Sequence, residues 1–392
     1  MSLQPNVAAL SVDPFLARLD GVIDRALAEK RIVGTVVLVA RDGDRVYERA
    51  AGLADREARR GMASDTIFLL ASITKPFVTV AAMRLVEQGV IGLDDPVSRW
   101  LPGFRPRMAD GIEPVIRLRH LMSHSAGLSY GFLEPQGTPY HQLGVSDGLD
   151  HHPGLTLSEN LRRLALAPLA FEPGAAWRYS LGMDVIGAVL EQASGESLPS
   201  LVRRLVTQPL GLADTGFAVT DRSRLATAYA DGDPEPRLIE DGMDVPLWDQ
   251  AVHFAPSRIF DPEAYPSGGA GMAGTAGEVL ALLEAIRRDG APLLQAETVR
   301  MMMTDQIGSE AQGPGWRFGL GWAVLDDPGL ALSPQTKGTI RWGGAYGHNW
   351  FIDKESGLSV VVLTNTAFEG MSGAFSLDVR DAIYGVEPAP AR

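Results

Sequence analysis

The chain has 392 residues, 45% hydrophobic and 21% charged, enough for one large domain or two intimate ones with ample core. With 35 basic against 48 acidic residues the formal net charge is -13, which disfavours nucleic acid and anionic membrane as partners, since both reward clustered Lys and Arg. No cysteine is present, so disulfides, thiolate catalysis and cysteine metal sites are excluded.

Met1-Ser2-Leu3-Gln4-Pro5-Asn6 has no basic start, apolar core or cleavage site, which speaks against a signal peptide. No apolar run approaches the ~18 residues that a membrane span requires, and the expected address is the cytoplasm. Residues 13 to 30 predict an amphipathic helix, with Phe15, Leu16, Leu19, Val22, Ile23 and Leu27 at helical spacing. Gly34 to Ala40 reads as a strand, Arg41-Asp42-Gly43-Asp44 as a hairpin turn and Arg45 to Ala51 as the returning strand. A helix followed by a hairpin suggests an antiparallel sheet with a helix packed on it.

The next helix is expected to start near Ser72, because the missing N–H of Pro76 is tolerated only in a first turn. It runs to about Gln88, with Gly89 as its stop. From roughly 93 to 265 the texture changes to short helical segments, among them 118–122, 158–167 and 183–194, and no alternating β pattern persists. After Gly277 a helix to about Ile286 precedes β-like stretches at 318–324, 339–342, 349–353 and 358–364, and a helix near 375–383 closes the chain. The expected fold is α+β. Residues 1–92 and 266–392 form one α/β domain around an antiparallel sheet, residues 93–265 a mainly helical insertion, and the cleft at their junction is the natural site.

Ser72 and Lys75 are the first candidates for that site. Residues at i and i+3 share a helical face, so the ammonium can lie beside the hydroxyl, and the serine also feels the positive end of the helix dipole. Tyr179 precedes the helical run that begins near Gly182; beside a lysine its phenol can be held as phenolate and take the serine proton. The third piece is Trp342-Gly343-Gly344-Ala345. Its glycines permit close backbone approach, and an exposed N–H there could complete an oxyanion hole with that of Ser72.

Other motifs fit less well. Gly144-Val145-Ser146-Asp147-Gly148 matches the G-x-S-x-G elbow, but an elbow needs an apolar strand before the serine and a helix after it, and neither flank fits. The G-x-G-x-x-G run from Gly269 to Gly274 follows a turn, not a strand, and reads as a tight backbone passage with Thr275 capping the next helix. His120 and His124 have i, i+4 spacing without the companion Glu or a third ligand, and His348 reads as a packing or hydrogen-bonding residue. No metal or cofactor is called for.

Taken in order, Ser72-Ile73-Thr74-Lys75, the Tyr179 motif and the Trp342-Gly343-Gly344 strand resemble the serine β-lactamase and penicillin-recognising superfamily, with its S-x-x-K, Tyr and K-T-G elements. Leu93-Asp94-Asp95-Pro96-Val97, the stretch from His120 to Leu128, and Phe171-Glu172-Pro173-Gly174 look like family VIII carboxylesterases, the esterase branch related to class C β-lactamases. The Trp-Gly-Gly and the stray G-x-S-x-G are similar to those of its EstB-type members. The likeness covers about residues 15 to 385.

The resemblance implies a β-lactamase/transpeptidase-like fold, Ser72 as nucleophile and Lys75 with Tyr179 as the activating pair, the base role being shared between coupled groups. It also implies an oxyanion hole from the N–H groups of Ser72 and Ala345, with Ser146 a bystander. Leu181 stands where the β-lactamase Tyr motif has Asn, and Trp342 where the K-T-G element has Lys. Both losses favour neutral esters over penicillins, and Trp342, Tyr130 and Trp177 are expected to wall an apolar acyl or alcohol group. The implied activity is hydrolysis of small to medium neutral esters through an acyl-enzyme on Ser72. A β-lactamase or D-amino-acid peptidase and a non-catalytic ligand-binding relative are the alternatives.

Overall fold

The structure is a computed structural model that describes residues 14–386; Met1 to Asn6, and residue 13 with which the sequence opens the first helix, lie outside them. Its centre is an eight-stranded antiparallel sheet. The strands are β1 (Gly34–Arg41), β2 (Asp44–Asp55), β3 (Arg60–Gly61), β4 (Trp316–Phe318), β5 (Ala323–Leu325), β6 (Ile340–Gly344), β7 (His348–Asp353) and β8 (Leu358–Thr364). They lie in the order β4-β5-β6-β7-β8-β1-β2-β3.

The near-continuous apolar runs of β1 and β8 mark strands covered on both faces, and the two pair in register with Val37 opposite Val362. Asp42 and Gly43, at φ +52° and +100°, make the two-residue turn into β2, the backbone twist a hairpin favours. On one face pack helices α1 (Pro14–Ala28) and α5 (Ala374–Tyr384): Leu19, Ile23, Phe375 and Val379 meet Val37, Val39, Val360 and Val362. On the other lie α2 (Thr74–Glu87) and α4 (Ala276–Arg287), whose apolar faces meet Val36, Leu38, Val361 and Leu363. Between them runs the middle of the chain, with helices Leu118–Met122, Leu157–Leu164, α3 (Gly182–Ser194) and Leu198–Val202.

Two expectations are corrected. The single strand read at 318–324 is a reversal: β4 and β5 pair with Arg317 opposite Val324, and the chain turns through Gly319 to Trp322. Gly321 sits at φ +91°, and a Cβ there would lie 2.4 Å from Thr79 Oγ1, so the turn rests directly on α2. Nor is the stretch from 93 to 265 free of β structure. Met243–Leu247 and Gln250–Phe254 form a hairpin, and Tyr229–Ala230 pairs with Arg237–Leu238. Val245, Leu247, Val252 and Phe254 alternate with exposed neighbours, but over only five residues per strand and with Pro246 among them, which masks the pattern. The hairpin packs its apolar face on Ala345, Tyr346 and Phe368 and carries Trp248 at its tip.

Candidate active site

Ser72 lies in a short turn of 3-10 helix, Ala71–Ile73, that runs straight into α2, so the α-helix proper begins two residues later than expected and Pro76 still falls in its first turn. Ala71 is fully buried at φ +46°, a left-handed conformation that costs a non-glycine residue about 1–2 kcal/mol. The turn is held by its surroundings: Leu70 N–H donates to Met272 O at 2.9 Å, and Met272 N–H to Thr74 Oγ1 at 3.0 Å.

The predicted activating pair is brought together around this serine. Tyr179 OH lies 2.6 Å from Ser72 Oγ, and Lys75 Nζ donates to the same oxygen at 3.0 Å. Lys75 is 0% exposed, and its second acceptor is the carbonyl of Gly269 at 2.9 Å. Its ammonium also stands 4.6 Å from the Tyr179 ring centroid and 5.3 Å from that of Tyr130, where the ring faces favour a cation. Tyr179 is fixed by the backbone on either side, since Arg178 N–H donates to His124 O and Leu181 N–H to Ser129 O. The Leu181 side chain is buried, so no amide from that position faces a substrate.

The glycines of β6 explain how a strand comes so close to the serine. A Cβ on Gly344 would lie 2.5 Å from Leu70 O, so only glycine lets β6 reach the turn that carries Ser72. Ala345 follows at the end of the strand. Ser72, Tyr179, Trp342, Gly343, Ala345, Tyr130 and Trp177 all line one cleft of about 640 Å³, with Lys75 and Gly344 behind its wall. Trp342 lines the cleft but is 95% covered. It packs 5.2 Å from both the Tyr179 and Phe318 rings and stacks on His124 at 6.3 Å. Burial, with the Lys75 cation second, holds His124 well below the usual histidine range, so this ring is a neutral member of the wall.

Four contributors escape sequence reasoning. Gly269, in the G-x-G-x-x-G run, supplies the lysine acceptor with its carbonyl, and Trp248 reaches the cleft from a hairpin tip. Asp147 accepts the N–H groups of Gly131 and Phe132 at 2.7 and 3.0 Å, and desolvation pushes its carboxyl up to about 8. Asp184 is fully buried in the first turn of α3, and desolvation pushes it to about 6. Its signal was legible: a carboxylate five residues after Tyr179, ahead of the apolar run Val185 to Leu190 of the same helix.

The other motifs resolve structurally. Ser146 is buried away from the cleft; its hydroxyl donates to Asp150 and accepts from Tyr265 OH at 3.1 Å and Gly148 N–H at 3.2 Å. Asp150 binds His152 at 2.8 Å with its other oxygen, so the aspartate separates the serine from the histidine and no imidazole reaches the serine. Thr275 caps α4 by accepting Glu278 N–H at 3.4 Å. His120 Nδ1 accepts the Arg117 N–H at 3.2 Å, and His348 Nε2 bonds Leu69 O at 2.8 Å. Among the described residues no three His, Asp or Glu side chains converge as a metal site, and no helix is long and apolar enough to cross a membrane.

The profile of the family described as Beta-lactamase matches residues 19–383. Esterase EstB of Burkholderia gladioli is 53% identical over 388 residues, 98% of each chain. Monacolin J acid methylbutanoyltransferase of Aspergillus terreus is 28% identical over 394 residues, 90% of each chain. The solved structure of EstCE1, described as a hydrolase with promiscuous acyltransferase activity, superimposes with TM-score 0.93 at 52% identity, over 96% of this chain and 100% of that one.

Proposed function

The chain belongs to the beta-lactamase family, and from that membership we propose that it is a serine esterase acting on small to medium neutral esters through an acyl-enzyme on Ser72. Its fold is β-lactamase/transpeptidase-like and its class is that of the serine hydrolases. The observation that carries the residue assignment is the convergence of Tyr179 OH and Lys75 Nζ on Ser72 Oγ at 2.6 and 3.0 Å.

In the forward half-reaction Ser72 Oγ attacks the ester carbonyl carbon while its proton passes to the Lys75–Tyr179 pair. The carbonyl oxygen, now negative, is met by the N–H groups of Ser72 and Ala345. Collapse expels the alcohol, which takes up that proton. Water then attacks the acyl-enzyme by the same route, and the acid leaves with Ser72 restored. Lys75 keeps its place through Gly269 O, which leaves Tyr179 and Ser72 a short proton path.

The buried Leu181 and the aromatic Trp342 support esters over β-lactams, because the leucine has no polar side-chain atom and the indole N–H of Trp342 is buried, out of reach of an amide or a carboxylate. The esterase name of the relative at 53% identity supports the same choice. Membership of the family VIII esterases, defined by the Ser-x-x-Lys motif, belongs to this reading, as does a cytoplasmic address, with which a cysteine-free chain is compatible. So does the division into a 1–92 and 266–392 unit and a 93–265 insertion, which assigns Ser72 to one unit and Tyr179 to the other.

The test compares p-nitrophenyl acetate and butyrate with nitrocefin on the wild type, Ser72→Ala and Ser146→Ala. Ester turnover should vanish in Ser72→Ala and persist in Ser146→Ala. Nitrocefin hydrolysis at comparable efficiency would overturn the choice of ester, and the opposite mutant pattern would overturn the choice of serine.

A further inference from the structure

The acyl-transfer steps make no use of Asp184, yet its position is unusual. It is 0% exposed, and its carboxylate oxygens have little hydrogen-bonding support among the described residues: no donor meets either at full hydrogen-bond geometry, and the Ser267 hydroxyl is the side chain that assists it. A buried carboxylate with so few donors is retained where a nearby cation offsets its lost hydration. Gly269 reveals which cation. A methyl on its Cα would lie 2.6 Å from Asp184 Oδ2, 2.9 Å from Tyr130 OH and 3.6 Å from Lys75 Nζ. Three polar groups from three segments therefore ring one glycine, and the carboxylate stands within about 6 Å of the ammonium.

The charged and titratable groups around Asp184 are Lys75 from α2, Tyr130 and Asp147 from the loops at the cleft wall, and Arg258 and Tyr265 from the stretch preceding Ser267. Desolvation raises the carboxyl, while the Ser267 hydroxyl, Lys75 and Arg258 pull it down. Lys75 is the cation among these that also touches Ser72.

We propose that Asp184 is a positioning residue for this esterase chemistry: it is the fixed counter-charge of Lys75, and through Lys75 it sets the pH range in which the Lys75–Tyr179 pair can accept the Ser72 proton. The proposal rests on the reading of Ser72 as nucleophile. With the carboxylate ionised, ammonium and carboxylate cancel, so withdrawing a proton from the pair leaves the buried site negative. With the carboxylate replaced by an amide, the same withdrawal leaves it neutral. Losing Asp184 thus makes the pair easier to deprotonate and, by the same amount, a weaker base. The sign is the same whichever member of the pair gives up the proton. Gly269 acquires a role too, since any side chain there would drive between the three groups.

The experiment is the pH profile of kcat/KM for p-nitrophenyl butyrate in wild type, Asp184→Asn and Asp184→Ser, the smaller serine being the second variant should the amide fail to fold. For opposite charges about 6 Å apart at a partly screened site, the acid limb should move to lower pH by about one to two units, and the plateau should fall by about tenfold or more. A variant profile that superimposes on the wild type after scaling, as a packing role alone would produce, overturns the proposal. The rate at which a fluorophosphonate labels Ser72 against pH gives a second reading of the limb. It separates the two ideas: loss of ester turnover in the wild type sinks the esterase assignment, whereas an unshifted labelling limb in both variants sinks the role of Asp184.

Discussion

Replacing Gly344 by alanine should damage catalysis far more than it damages the fold. The new methyl would lie 2.5 Å from Leu70 O, 3.1 Å from His348 Cδ2 and 3.3 Å from Ile73 Cγ1. A carbon rests against a carbonyl oxygen at about 3.3 Å or more, so β6 must draw back from the nucleophile turn by roughly 0.8 Å. Leu70 O is backbone and cannot swing aside. Ala345 is the next residue, so its N–H moves with the strand and away from the oxygen it would stabilise. Misplacement of that size, or loss of one such donor, costs on the order of 10²-fold in kcat, whereas overpacking costs about 1–3 kcal/mol of stability. The assay is kcat for p-nitrophenyl butyrate alongside the urea midpoint. Gly343→Ala is the comparison: its methyl points to the opposite face of the strand, 2.9 Å from His348 O and 3.0 Å from the flexible Met371 Cγ, so the overlap is smaller and none of it is with the turn that carries Ser72. A Gly344→Ala enzyme within threefold of wild-type kcat, or a Gly343→Ala enzyme equally impaired, refutes the reasoning.

Trp248 is 75% exposed at its hairpin tip yet lines the cleft, so Trp248→Ala should leave folding and kcat for the acetate ester unchanged while raising KM for longer acyl esters by about two- to tenfold; an equal effect at every chain length contradicts it. His348 is fully buried, and burial holds it down at about 4. The unfolded chain protonates near 6.5, so stability is level above that pH and falls by about 3 kcal/mol as pH drops from 6.5 to about 4. His348→Gln removes this term, and its urea midpoint should decline less steeply between about pH 7 and about pH 4.5 than that of the wild type. Parallel declines would show that His348 is not the group responsible.

Local chemistry was readable in the sequence and long-range company was not. Asp42-Gly43 specifies a turn from two residues, β1 and β8 announce burial by their apolar runs, and Ser72 and Lys75 share a helical face by spacing alone. Gly269 gives no comparable sign, because its part in the site is a backbone carbonyl aimed at a lysine 194 residues away. Trp342 could be named as a wall, but its immersion among His124, Tyr179 and Phe318 depends on four segments meeting. The 243–254 hairpin is the clearest miss. Its alternation is genuine, and Pro246 conceals it.

The pairing of β1 with β8 also has a consequence for biosynthesis. Val37 leaves the ribosome with β2 as its hairpin mate, but its other neighbour, Val362, is 325 residues further on. At about 5–20 residues per second that strand arrives roughly 15 to 65 s later, and until then the β1 edge stands unpaired. The Ser72 turn emerges early too, yet β6, which carries Gly344 and Ala345, must be made before the site can close around it. A nascent chain therefore presents an open, apolar strand edge for most of its synthesis and acquires reactivity only at the end, which makes the chaperone supply of the host a determinant of how much active protein it yields.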